Sequence, residues 1–296
     1  MPKYPFGKTR IIDDLQRSLD EIEKTWPMTG SYQRIEPYIS PLFRANEWFE
    51  IIIYHVESKA WFDNYQNDFI MNSLADKELV VPGDVAFDLG SNAGAITLLL
   101  AKLCGPTGHV YAFDPYPWNT VATKSNALIN HFDNVTAYPV GVSNRNHQIS
   151  VSPNDSRSYE SSDANGCQVL NIRAINDFMP LKPTFLKIDI EGAEYDIFNE
   201  QHADVFESVR GFVLEFHPMW IRPRNLDPKD VLRNIEGLGF TLHGPHADDP
   251  IYAVEQYDER HLFWGKRRAT LGTTEIRSSA DEGAADESVA ICALAD

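Results

Sequence analysis

No stretch of about 18 consecutive apolar residues occurs in this chain, so no membrane-spanning helix is expected. Cysteine is scarce. Cys104, Cys167 and Cys292 are the three among 296 residues, widely spaced and with no C-x-x-C pair. They read as reduced thiols, which excludes a disulfide-built scaffold and gives a cytoplasmic expectation. Basic charge is in deficit, with 26 Lys and Arg against 43 Asp and Glu and a formal net charge of −17. That balance argues against a nucleic-acid backbone or an anionic membrane as the main partner. The opening MPKYPFGKTRIIDDLQ has no apolar h-region, so no signal peptide is expected. What remains is ordinary globular composition, 43% hydrophobic and 23% charged, in a chain long enough to bury a substantial core.

Three regions follow from the patterning. Residues 1–79 read as a mostly helical N-terminal cap, with Ile11, Ile12, Leu15, Leu19 and Ile22 at helical spacing. The aromatic Trp48, Phe49, Trp61, Phe62 and Tyr65 make this cap the expected cover of a substrate pocket, and exposed aromatics there also suit a homo-oligomer contact. Residues 80–265 alternate short apolar runs with helical ones, as in DVAFDLG, AITLLLAKLC and HVYAFDP. This predicts an α/β fold: a doubly wound, mostly parallel sheet with helices on both faces. NVTAYPVGVS reads as one strand, QISVS and CQVLNIRAI as additional antiparallel strands, and FTLHG with IYAVEQ as a terminal hairpin. Residues 266–296 are small, polar and aperiodic, and read as a disordered tail.

The segment VAFDLGSNAGAITLLLAKLC turns from a strand into a helix through glycines. A dinucleotide fingerprint needs G-x-G-x-x-G, but from Gly90 the middle place is Asn92 and the last is Ala95. A nicotinamide dehydrogenase is therefore disfavoured. A P-loop fails as well, because no Gly-Lys-Ser/Thr follows. What is left is Asp88-x-Gly90-x-x-x-Gly94, with Asp114 ending the next strand where an acid meets ribose hydroxyls. Asp88 is placed to serve an ammonium group. An aminoacyl–ribose–adenine ligand without phosphates fits this set, and S-adenosylmethionine is such a ligand.

A second motif, FLKIDIEGAEYDIF, ends a strand with Asp189 and Glu191 and enters a helix at Glu194. Ligands of open parallel sheets sit beyond the carboxyl ends of the strands, so these acids share an edge with Gly90 and Asp114. Asp189 reads as functional. Glu194 reads as a surface residue, and capping a helix dipole is the structural alternative for Glu191.

The order DLGSNAG, YAFDP, VGVSN, LKIDIEGAE and VLEFHP resembles the FkbM-type S-adenosylmethionine-dependent methyltransferases over roughly Trp61 to Phe240. The family's usual Glu before Pro115 is Asp114 here, and GVSN replaces a run ending in Ser-Asp. The resemblance implies a seven-stranded class I sheet with a final antiparallel strand. It implies methyl transfer to a hydroxyl of a sugar, glycan or polyketide-like product. It also implies that Asp88, Gly90, Ser91, Asn92 and Gly94 cradle the methionine part. Asp114, beside Pro115, would bind the ribose, and Val142 and Ser143 would flank the adenine.

An alcohol needs its proton removed, and Asp189, Glu191, Glu215 and His217 all fall at strand ends on the ligand side. His217, with an ordinary pKa near neutrality, and Asp189 are the expected bases. Asp189, Glu191 and Glu215 could also supply oxygen ligands to magnesium, or hydrogen-bond sugar hydroxyls instead. The loop HGPHADD, with His243, His246, Asp248 and Asp249, reads as solvated rather than as a metal site. An N-methyltransferase on the same scaffold, or a non-catalytic S-adenosylmethionine-binding module, are the alternatives.

Overall fold

The computed structural model describes residues 7–28, 32–44, 47–56, 59, 74, 77–151, 168–244 and 261–268. Helix α1 spans Lys8–Glu23. Strands β1 (Arg34–Arg44) and β2 (Glu47–His55) follow, then β3 (Val85–Leu89), α2 (Ala95–Cys104), β4 (His109–Phe113), α3 (Pro117–Ile129) and β5 (Val135–Tyr138). Next come β6 (Gly141–Ser143), β7 (His147–Val151), β8 (Gln168–Ala174), β9 (Phe185–Ile188) and the short α4 (Glu194–Ile197). The described chain closes with β10 (Gly211–Phe216), α5 (Pro218–Ile221), α6 (Lys229–Gly237), β11 (Phe240–His243) and β12 (His261–Arg267).

Seven strands form one sheet in the order β11-β12-β10-β9-β3-β4-β5, parallel except for β12, which runs antiparallel to both neighbours. The strand order reverses at β3, which lies between β4 and β9. The carboxyl ends of β3 and β9 therefore open into the crevice where such sheets take ligands. Alternation along the strands sends Phe87, Leu89, Leu186, Ile188, Phe212 and Leu214 into a core with Val231, Leu232 and Ile235 of α6. The opposite face carries Ala86, Phe185 and Val213 against α2. Asp88, Lys187 and Glu215 fall on that second face by the same alternation, and this places three charged side chains inside the protein.

The N-terminal region departs from the helical expectation. Besides α1 it holds an antiparallel hairpin of β1 and β2. Ile51, Ile52, Ile53 and Tyr54 favour extended backbone, being β-branched or aromatic. Both faces of β2 are buried: Ile51 and Ile53 join the α2 core, while Ile52 and Tyr54 pack with α1 and α3. That is why the run shows no strand-like alternation of polarity. Asn126 Oδ1 accepts from Ile52 N–H at 2.7 Å, and Asn130 Oδ1 accepts from Glu50 N–H at 2.8 Å. Four residues along a helix rise about 6 Å and two along a strand about 6.7 Å, so asparagines one turn apart match alternate strand amides. Trp61, Phe62 and Tyr65 lie outside the described residues.

Three smaller differences concern boundaries. NVTAYPVGVS divides at Pro139 into β5 in the large sheet and β6 in a separate three-stranded sheet, β6-β8-β7. β7 and β8 pair antiparallel, as their sequences suggested. β11 pairs with β12 rather than with residues 251–256, which lie outside the described residues, and β12 runs two residues into the segment read as tail.

Asn126 also donates to Ala93 O at 2.7 Å, so one buried amide ties the hairpin to the glycine turn. Replacing it with alanine leaves a buried N–H and a buried C=O without partners. Asn126→Ala is expected to cost about 2–4 kcal/mol, read as a lower urea midpoint at unchanged slope.

Candidate functional site

The turn after β3 depends on left-handed backbone at Gly90 (φ 79°), Asn92 (φ 48°) and Gly94 (φ 88°). A Cβ at Gly90 would overlap the carbonyl oxygen of Asp189, and one at Gly94 would stand 2.9 Å from Thr123 Oγ1. Glycine is therefore demanded twice, by dihedral angle and by space. Gly90 and Ser91 N–H both donate to Phe113 O, at 2.9 and 3.0 Å, fixing the turn to the end of β4. There Asp114 accepts from Asn92 N–H (2.9 Å), Tyr116 N–H (2.9 Å) and Asn119 Nδ2 (2.9 Å). Asn119 Oδ1 in turn accepts from Tyr54 Oη at 2.6 Å, which links the hairpin to Asp114. Burial pushes the Asp114 carboxyl up to about 6, against the lowering effect of its hydrogen bonds.

Two hollows meet at this turn. The larger encloses about 930 Å³ and is lined by Gly90, Asn92, Asp114, Pro115, Val142, Ser143 and Glu191, with Ile149, Val151, Leu170 and Ile172 as an aliphatic wall. That wall comes from the three-stranded sheet, whose role the sequence did not announce. The smaller, about 480 Å³, is lined by Ser91, Ala93, Lys187 and the hairpin residues Ile51 and Ile53. Asp189 borders both. Ser91 is buried, and its Oγ has no hydrogen-bond partner among the described residues.

Asp88 and Gly94 line neither hollow. Asp88 lies beneath the turn, where Oδ2 accepts from Thr97 Oγ1 at 2.5 Å and Oδ1 stands 3.3 Å from Lys187 Nζ. The Oδ1 contact is an ion pair that falls short of hydrogen-bond geometry. The ammonium that Asp88 meets therefore belongs to the chain itself, in place of the ligand ammonium expected from the sequence. Lys187 is 2% exposed and also donates to Gly90 O at 2.5 Å, with Asp189 Oδ2 3.4 Å away. Burial alone would lower its pKa, but Asp189, Asp88 and Glu215 outweigh burial and raise it. The sequence signal for this residue is the lone lysine of the apolar run FLKI.

At the neighbouring strand ends, four carboxyl groups surround one imidazole. His217 Nδ1 stands 2.9 Å from Glu194 Oε1, while Nε2 faces Glu215 Oε1 (3.3 Å), Glu191 Oε2 (3.6 Å) and Asp189 Oδ1 (3.8 Å). Glu194 is wholly buried, not at the surface, and its Oε1 also accepts from Ile190 N–H at 3.3 Å. Burial opposes a charged His217, but Glu194, Glu215 and Asp189 outweigh it and push the imidazole up to about 11. With no ion beside it the ring is therefore held as imidazolium, and its Nε2 lone pair becomes available only when that proton is displaced. Burial raises Asp189, as does Glu215, while Lys187 and His217 pull it down; burial likewise raises Glu191 against His217. Glu191 (φ 52°) and Gly192 (φ 100°) are both left-handed, so the turn holding Glu191 at the hollow is strained. His243 stacks on Trp264 at 3.8 Å between ring centroids, and His246, Asp248 and Asp249 lie outside the described residues.

A glycine turn leaving the first strand of a seven-stranded sheet, with the last strand reversed, is the architecture of class I methyltransferases. The chain belongs to the family defined by the methyltransferase FkbM domain, whose model matches residues 88–242, just over half of the chain. A search of curated proteins finds no match. Solved structures similar to this chain include an S-adenosylmethionine-dependent methyltransferase from Aquifex aeolicus, 12% identical, covering 71% of this chain and 95% of that one at a TM-score of 0.39. Another is an rRNA methylase from Streptococcus thermophilus, 14% identical, covering 64% and 90% at 0.38. A third is an S-adenosylmethionine-dependent O-methyltransferase from Thermotoga maritima, 14% identical, covering 77% of each chain at 0.38. No helix among the described residues is long and apolar enough to cross a membrane.

Lys187→Met removes the partner of a buried carboxylate, a change that costs about 3–5 kcal/mol in chemical denaturation. Adding Asp88→Asn is expected to return part of that loss, so the double variant loses less than the sum of the singles.

Proposed function

We propose that this methyltransferase carries a methyl group from S-adenosylmethionine to a hydroxyl oxygen of a small hydroxylated acceptor, a sugar, glycan or polyketide-like product. The observation that carries the reading is Asp114. It is tied by hydrogen bonds to the glycine turn while lining a hollow with an aliphatic wall. The donor set fits an aminoacyl–ribose–adenine ligand. Asp114 has acceptor capacity left for a ribose diol, and Val142, Ile149, Leu170 and Ile172 offer an apolar slot to adenine. Gly90, Asn92 and the unpartnered hydroxyl of Ser91 face the aminoacyl end.

Bound there, the cofactor supplies an electrophilic methyl carbon on a sulfonium. The chain's own task is to align the acceptor oxygen and take its proton. Asp189 borders both hollows, and Glu191 borders the larger. Both carboxyls have raised proton affinity through burial, which suits an acceptor of the hydroxyl proton. An amine among these carboxyl groups would be held as ammonium, without a nucleophilic lone pair, which favours oxygen over nitrogen as the methyl acceptor.

Calorimetric titration with S-adenosylmethionine is expected to show saturable binding that Asp114→Ala abolishes; equal binding by both proteins would refute the ribose assignment. The ionised Asp114 carboxylate is the form that accepts ribose hydroxyls. Affinity is therefore expected to be flat above neutrality and to fall as pH drops through about 6, approaching about tenfold per pH unit below it, with Asp114→Asn flattening the profile. Glu191→Gln should lower the rate of the methyl-transfer step about 10²–10⁴-fold towards a hydroxylated acceptor at saturating cofactor, checked by single-turnover methyl transfer.

A further inference from the structure

We infer that the carboxyl-ringed face of His217 is a site for one divalent cation of the magnesium–manganese type, held by Asp189, Glu215 and His217, with Glu191 in reach. The potential ligand atoms of Asp189, Glu215 and His217 all lie within 4.8 Å of one another. Around Nε2 the three facing oxygens stand 3.3, 3.6 and 3.8 Å away. The 3.6 and 3.8 Å separations are too long for hydrogen bonds, and the 3.3 Å one is a weak hydrogen bond at the limit. The distances from Nε2 fall between the about 3.0 Å of adjacent and the about 4.2 Å of opposite donors about 2.1 Å from an octahedral cation, and ligand atoms separated by up to 4.8 Å draw in on binding.

The other side of the ring is built for the same purpose. Glu194 is wholly buried with Oε1 2.9 Å from Nδ1, the arrangement in which a carboxylate orients a metal-ligating imidazole through its second nitrogen. Glu194 Oε2, also buried, has no hydrogen-bond partner among the described residues, so the cluster holds more acceptor capacity than the chain itself satisfies. Oxygen donors with a single imidazole suit a hard or borderline cation, and they exclude the soft thiolate-bound metals.

Asp189 also borders both hollows, so an ion here would stand at the edge of the place proposed for the cofactor. Its role rests on the methyl-transfer reading: a hydroxyl at an open position on the ion becomes more acidic and is held in place. Binding of the ion does not depend on that reading.

The test uses the full chain, stripped with chelator and titrated with Mn²⁺ while free ion is followed by electron paramagnetic resonance, with S-adenosylmethionine affinity measured on each preparation. One Mn²⁺ per chain is expected. Glu215→Gln, which alters a ligand outside both hollows, should weaken it at least tenfold with cofactor affinity retained, and Glu194→Gln should weaken it about 10–100-fold. Should Glu215→Gln unfold, Glu191→Gln, whose side chain is more exposed, takes its place with a loss of at least severalfold expected. No saturable uptake by the unaltered chain, or uptake unchanged in these variants, overturns the site. If cofactor binding persists in that case, only the metal proposal fails. If Mn²⁺ binds and the cofactor does not, the methyl-transfer reading fails and the metal site stands.

Discussion

The buried ammonium of Lys187 is the constraint on which the rest of the site depends. Its Nζ reaches the carbonyl of Gly90 on one strand end and the carboxyl groups of Asp88 and Asp189 on two, so it stitches β3 to β9 at the point where strand order reverses. A lysine so deep in a sheet is costly to desolvate, and only convergent oxygens make the position tenable. The consequence runs both ways. The glycine turn cannot shift without exposing the ammonium, and Asp189 cannot swing away without leaving it under-paired. Gly90 has no side chain because the Asp189 carbonyl occupies that space, so backbone and charge enforce the same approach.

The hairpin is the second constraint, and it acts from the opposite side. Strand β2 is walled by Asn126 and Asn130, and its Tyr54 hydroxyl reaches Asn119, which itself donates to Asp114. The contacts from hairpin to Asp114 therefore run through the buried Tyr54 hydroxyl and the buried, short Asn119 amide. Ile51 and Ile53, on the same strand, close the smaller hollow. A segment outside the nucleotide-type fold thus shapes both the smaller hollow and the orientation of Asp114 beside the larger one.

How much of this was legible depended on whether local pattern or tertiary company decided the outcome. The α/β sheet and the meeting of Gly90 with Asp114 were legible, because periodicity and glycine spacing are local facts, whereas the reversed last strand followed from the family resemblance alone. The hairpin was not: EIIIYH is buried on both faces, and a short continuous apolar run does not reveal its own period. Asp88 points towards a ligand on sequence alone, because Lys187, its register partner on the adjacent strand β9, is distant along the chain. Glu194 looks exposed in the sequence because a glutamate opening a helix usually is, and its burial here follows from the position of His217 just after β10. The imidazole looked suited to neutral pH on its intrinsic value alone. Four carboxyl groups from two strand ends and one helix start decide otherwise, and no sequence spacing within a single motif reports that sum.

The charge arrangement bears on chemistry as well as on stability. A positively charged imidazole and a positively charged lysine flank Asp189, one on each side, while Glu215 adds a carboxyl group near both. The lysine cannot act as a base, and neither can the imidazole while it is protonated, so the proton-accepting capacity of this edge then resides in carboxyl groups whose basicity is raised by burial and tempered by those two cations. A base too weak would leave an alcohol protonated, and one too strong would itself be protonated at neutral pH. On the hydroxyl-acceptor reading, the task of His217 and Lys187 is to hold the carboxyl groups in the intermediate range. The K-I-D-I-E-G-A-E motif then has a physical reason for joining a lysine to three acids: the strand supplies the buried counter-charge, its end supplies the base, and the helix start supplies the residue that fixes the imidazole.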